Sequence, residues 1–307
     1  MTTCFRACLI VTLLAGFTPG CSGGDSQADA AIVVPADASP DARKIPDAAL
    51  PVAPTHLLIT EVSLTNDSRE FIEIFNPTPQ AVDLTNYYLS DDADYALLPG
   101  AFGGAPVPQV NPAFDFIAKF PDGAMIMPGQ VVVIAFRYAA FQSVFEQVPD
   151  YALRDAPIEQ AMVDPTGSFI GTSVSLTNSG ESVTLLFWDG ITDLVTDVDM
   201  VMVGTLGMDT SNLPADKTGQ RVDGPDPGDE GTFYQPDAYS LGLMLGGAPN
   251  GLSHKRLLLE DHFERHNGDG NGIGGDDETS EDLSRTWDDV SSFSPPSPGE
   301  VPPELRR

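Results

Sequence analysis

The segment EFIEIF, residues 70–75, alternates two faces: Phe71, Glu73 and Phe75 against Glu70, Ile72 and Ile74. Successive side chains leave a strand on opposite sides, so this period of two reads as β-structure. Similar runs recur, separated by Gly, Pro, Asn and Asp. They predict strands at 56–64, 70–76, 81–90, 130–136, 181–188, 193–203 and 252–259. Helical periodicity is rare, and one short helix is expected within 138–150. The chain has Cys4, Cys8 and Cys21 and no other cysteine. No disulfide can staple these strands, so a hydrophobic core must carry the fold alone. The expectation is an all-β sandwich whose sheets each keep one wet face.

The first 21 residues read as a leader. Arg6 precedes an apolar run from Ala7 to Phe17, followed by small residues. A bilayer-spanning helix needs roughly 20 apolar residues. This run is shorter and reads as a secretory signal peptide. Its end, FTPGC, resembles a bacterial lipobox. That resemblance implies a lipid on Cys21 as the mature N-terminus. Thr18 stands where the pattern has Leu, and Pro19 is unusual in it. The alternative is an ordinary signal peptide cut near Gly16, which leaves Cys21 as an odd thiol. Ser22 after the cysteine implies sorting to the outer membrane or cell surface. Residues 22–54, rich in Ala, Asp and Pro, show no sustained apolar period and read as a disordered tether.

Forty-five acids face 15 bases, for a formal net charge of −30. Phosphate backbones are recognised mainly through Lys and Arg, so this balance argues against nucleic acid as a partner. It favours solubility and divalent cations.

Six pieces in order resemble the lamin-tail family. They are ITEV (59–62), EFIEIFNP (70–77), VDLTNYYLSD (82–91), MPGQVVVIA (127–135), LTNSGESVTLL with DGITDLVTD (176–197) and SPPSPG (294–299). The resemblance implies an immunoglobulin-like β-sandwich over residues 55–303. Such a core takes about 110–140 residues. The surplus falls near 92–126, 138–172, 204–250 and 260–282, expected as loop insertions.

One acidic stretch, HNGDGNGIGGDDE, has the spacing of a calcium loop. An EF-hand places oxygens at positions 1, 3, 5 and 12, with Gly at 6. Counting from Asn267 gives Asp269, Asn271, Gly272 and Glu278 at positions 3, 5, 6 and 12. Position 1 lacks its usual Asp, and position 8 carries Gly274 where an apolar residue packs inward. A strict EF-hand is not expected. A looser calcium site on Asn267, Asp269, Asn271, Asp276 and Glu278 stands against a solvated hairpin loop. His262 and His266 echo HExxH, but Phe263 occupies the place of the catalytic Glu, so zinc chemistry is not expected. Asp193, Asp197 and Asp199 share one face of a run: a second cation site stands against the more common reading, an exposed face that guards a sheet edge. No nucleophile motif or phosphate loop is present.

The reading is a lipid-anchored envelope protein with a lamin-tail-like module in a binding or structural role. Calcium is its one candidate cofactor. The membrane, through the lipid, is one partner, and a protein or surface polymer the other. The alternative class is a metal-dependent secreted hydrolase. A nucleic-acid-binding module is a second alternative, against which the charge speaks.

Overall fold

The computed structural model describes residues 55–64, 69–177, 180–204, 217–228, 230–237, 245–247, 251–259, 269–288, 294–301 and 305. Leader, tether, Cys21 and about half of 204–250 lie outside them. The strands in chain order are β1 (Leu58–Ser63), β2 (Phe71–Phe75), β3 (Val82–Asp83), β4 (Tyr87–Ser90), β5 (Ile117–Lys119), β6 (Met125–Ile126) and β7 (Val131–Arg137). After the helix α1 (Tyr138–Phe145) come β8 (Tyr151–Arg154), β9 (Glu181–Phe187), β10 (Thr196–Val203), β11 (Arg221–Val222), β12 (Thr232–Phe233) and β13 (Ser253–Lys255). A short helix, α2, covers Leu283–Thr286.

Two sheets form the sandwich. One has the order β13-β1-β2-β7-β8, the other β10-β9-β4-β5. Pairing is antiparallel throughout except between β7 and β8. Parallel neighbours need a crossover of a dozen or more residues. Residues 138–150 supply it, and α1 is its helix.

The inner faces share one core. Ile59, Val62, Ile72, Ile74, Val132 and Ile134 of the first sheet meet Leu89, Val183, Leu185, Met200 and Met202 of the second. The alternation in EFIEIF holds as a sorting of faces: Ile72 and Ile74 join this core, and Phe71 points the other way. The expected wet face does not follow. Phe71 packs edge-on against Phe141 and Phe145 of α1, with ring centroids 5.8 and 5.6 Å apart. Each such pair contributes about 0.5–1.5 kcal/mol beyond area burial. Glu73 is fully buried on the same side. Two covers close this outer face: the β7–β8 crossover and the C-terminal segment 294–301.

The edges are also closed. Beyond β10 lie bridges to Gly272 and Leu245; β13 meets Ser294, Arg256 just after it meets Trp287, and Val163 bridges to β5. Bare edges invite intermolecular pairing, and these contacts remove that route. Two expected insertions supply sheet strands. Residues 92–126 contain β5 and 138–172 contain β8, so they build the sandwich as well as extend it.

Candidate functional site

Most polar groups of note converge on β10 and the segment that packs along it. A bulge interrupts the β9–β10 ladder: Asp197 pairs with Leu186 and Asp199 with Leu185, leaving Val198 as the extra residue. β1 has its own bulge at Thr60. The two irregularities meet. Asp199 accepts the Ile59 N–H at 2.5 Å. Arg256 donates through Nε to the Ile59 carbonyl at 2.9 Å and through Nη2 to both Asp199 oxygens at 2.8 and 3.0 Å. Its Nη1 lies 3.3 Å from Glu281 Oε1, which also accepts the Thr286 hydroxyl at 2.7 Å. The guanidinium sits 5.4 Å over the Trp287 ring. Arg256, Asp199 and Glu281 are all fully buried. Charges this deep persist only when paired and hydrogen-bonded.

A second tie lies beside the first. Lys217 Nζ reaches Asp197 at 2.9 Å, Asp237 at 3.2 Å and the Tyr95 hydroxyl at 3.0 Å. Burial alone would lower the lysine, but the adjacent carboxylates outweigh it and hold it well above its ordinary value. Burial raises Asp197, with Lys217 opposing. Asp193 makes a third contact, accepting the Gly224 N–H at 2.7 Å and the Thr232 hydroxyl at 2.6 Å. The aspartate row expected as an exposed face is thus buried throughout. The reason is the cover: residues 217–237 and 269–288 fold over what would otherwise be the solvent side of β10.

The acidic loop is part of that cover. Asn271 gives its carbonyl to the Asp197 N–H at 3.1 Å. Its side chain accepts from Gln235 N–H and donates to the Gln235 carbonyl and to Asp237 at 2.8, 2.9 and 2.7 Å. Gly272 and Gly270 leave no room for a side chain against the 276–277 backbone. Asp269 is exposed, Asp276 half-buried and Glu278 buried. Asn267 lies outside the described residues. Among the described residues no group of three His, Cys, Asp or Glu is placed to hold a metal ion. The described part of the segment is exposed or half-buried from Asp269 to Asp276, and Asp277 and Glu278 are buried.

His254 is fully buried, with Nδ1 3.2 Å from Asp288 and Nε2 bonded to the Gly246 carbonyl. His262 and His266 lie outside the described residues.

At the end of β4 sits an acidic group that sequence reasoning did not single out. Asp91 accepts the Phe116 N–H at 2.6 Å, and its other oxygen has no partner among the described residues. Burial raises Asp91 well above the carboxylate range, and the nearby Glu181 charge adds to it. Burial also pushes Asp92 up to about 6, against the Asp94 N–H that it accepts. Lys217 and Arg256 were missed as well. Their one sequence signal is position: Arg256 is a base in the middle of SHKRLLL, where an inward charge needs a buried partner.

Residues 51–190 match the family model described as Lamin Tail Domain. The resemblance at 191–197 and 294–299 lies beyond that match, as do β10 and β13, which complete the two sheets. A solved structure of a DUF4876 family protein from Bacteroides thetaiotaomicron VPI-5482 is similar at 15% identity and a TM-score of 0.43, covering 82% of this chain and 75% of that one. No curated protein matches. The sandwich and the matched motifs together make residues 51–190 of this chain a lamin tail domain.

Proposed function

We propose that this chain is an envelope module, anchored by a lipid on Cys21, that acts by binding or structural support. The lamin tail domain supports a structural or binding role. The observation that carries the anchor is the position of the cysteines. All three lie within the first 21 residues, and Cys21 closes a small-residue stretch behind an apolar run led by Arg6. The Ala/Asp/Pro segment 22–54 then acts as a spacer between membrane and module. No described helix is long and apolar enough to cross a membrane. The strong negative charge favours a neutral or cationic partner, such as a protein or surface polymer, over a phosphate backbone.

Fractionation tests the anchor. The wild-type chain is expected in the membrane fraction and Cys21→Ser in the soluble fraction. Membrane association that survives Cys21→Ser overturns it.

A further inference from the structure

The C-terminal segment 294–301 crosses the outer face of the first sheet. It begins at β13, where Ser294 bridges to Ser253. It passes over β1, where Ser297 donates its N–H and hydroxyl to Glu61 at 3.1 and 3.2 Å. It passes over β2, where the Gly299 N–H donates to Glu73. A side-chain atom added at Gly299 would lie 3.8 Å from Gln147, in the β7–β8 crossover. The segment is therefore a strap across at least two strands, and two glutamates hold it.

Those glutamates are directly opposed. Glu61 and Glu73 are cross-strand partners on the same outer face, and both are buried. Directly opposed residues have Cβ atoms about 4.5–5.5 Å apart, close enough for like charges to repel. Glu61 also accepts the Ser253 hydroxyl at 2.5 Å. The second oxygen of Glu73 has no partner among the described residues. The charged groups facing the pair come from three neighbours. β13 contributes Lys255, 3.9 Å from Glu61 and bonded also to the Pro295 carbonyl and the Ser297 hydroxyl. The crossover contributes Asp150, which accepts the N–H of Val133, the β7 partner of Glu73. The strap contributes Glu300, which is exposed. One ammonium thus faces two buried carboxyls, with Asp150 and Glu300 as further acids.

We propose that 294–301 is a proton-latched strap: one proton on the Glu61–Glu73 pair keeps it closed, and loss of that proton releases it. Burial raises both glutamates, and the Glu61 charge raises Glu73 further, against the pull of the strap amides and Lys255. Opening returns the pair to water and lowers its affinity for the proton. The closed form is therefore favoured at low pH and lost as pH rises through the closed-state titration. Opening sheds one proton, so the equilibrium shifts tenfold per pH unit between the open-state and closed-state titrations and levels off above the latter. Release would open a cavity of about 490 Å³ between Phe75, Pro77 and Leu259, one wall of which is Gly299 and Val301.

The test is cleavage after Glu300 by a glutamate-specific protease on the full chain, from pH 5 to 8, read by mass spectrometry. Glu73→Gln, which mimics the protonated acid, sets the reference at each pH. The wild-type rate relative to Glu73→Gln should rise at least tenfold across the range, and a constant ratio overturns the proposal. If Glu73→Gln fails to fold, carbon-13 titration of the wild-type carboxyls decides. At least one of Glu61 and Glu73 should titrate above the ordinary glutamate range, and two ordinary titrations overturn the latch.

Discussion

Asp199 and Arg256 hold one residue of β1 between them. The aspartate takes the Ile59 N–H and the arginine takes the Ile59 carbonyl, while Arg256 Nη2 lies 2.8 and 3.0 Å from the two Asp199 oxygens. Ile59 flanks the Thr60 bulge, and the ion pair satisfies its backbone there. The pair also links the two sheets, since Asp199 belongs to β10 and Ile59 to β1. Charge thus works as internal fastening in a chain whose net charge is −30.

The Lys217 tie should behave as a buried cation with two dependants. Lys217→Met leaves Asp197 and Asp237 without their cation, and breaking a buried pair in this way costs about 3–5 kcal/mol. The deficit against wild type should shrink at low pH, because Asp197 can then take a proton in place of the ammonium. Urea melts of both proteins at pH 7 and pH 4 check this. A variant as stable as wild type at pH 7 contradicts it.

Asp92 gives the opposite sign from a salt-bridged acid. Its folded value, about 6, lies above the ordinary 3.8. Its contribution is full below 3.8 and is lost as pH rises toward 6. At pH 7 the folded state bears an ionisation cost of about 3 kcal/mol. Asp92→Asn keeps an oxygen for the Asp94 N–H and removes the titration. The variant should gain on wild type between pH 4 and pH 7 in paired denaturation curves. A fixed difference across that range contradicts the assignment.

Asn271 is bound to Gln235 and Asp237 through its side chain. Asn271→Ala should lower stability by about 1–3 kcal/mol through the groups left unpaired. The loss should be equal in calcium and in chelator. A calcium ligand would behave differently: at about 100 times its dissociation constant calcium adds roughly 2.7 kcal/mol to wild type, and the variant would lose that gain. Thermal melts of both proteins in both conditions separate the two roles.

The strands were legible where local pattern decides them. β1, β2, β9 and β10 fall inside the predicted runs and β7 overruns its run by Arg137 alone, because β-branched and apolar residues dominate these stretches. β5, β6 and β8 were not legible. They are two to four residues long, and partners from distant sequence make them strands. The expected run 81–90 divides into β3 and β4, because Leu84 turns the chain back through its carbonyl to the Tyr87 N–H.

The candidate site was legible only as a row of acids. Asp193, Asp197 and Asp199 have the spacing of a wet face, and nothing local distinguishes that from a buried seam. What buries them arrives from Lys217, Gly224 and Thr232, from Arg256, and from the described residues 269–288. Sequence spacing likewise brought Asn271 and Glu278 together as loop positions 5 and 12. In the fold, the Asn271 side chain is held by Gln235 and Asp237, while Glu278 is packed among the buried residues 277–281.

The central claim is that these acids fasten the sandwich from inside, and a double-mutant cycle on Asp199 and Arg256 tests it most directly. Asp199→Leu, Arg256→Met and the double variant would be compared with wild type by urea denaturation. Each single change should cost about 3–5 kcal/mol, and the double change less than their sum, because neither member of the pair is left buried without the other and Glu281 loses its cation in the Arg256 single variant and the double variant alike. Single costs that add within about 0.5 kcal/mol would show two independent residues and contradict the account.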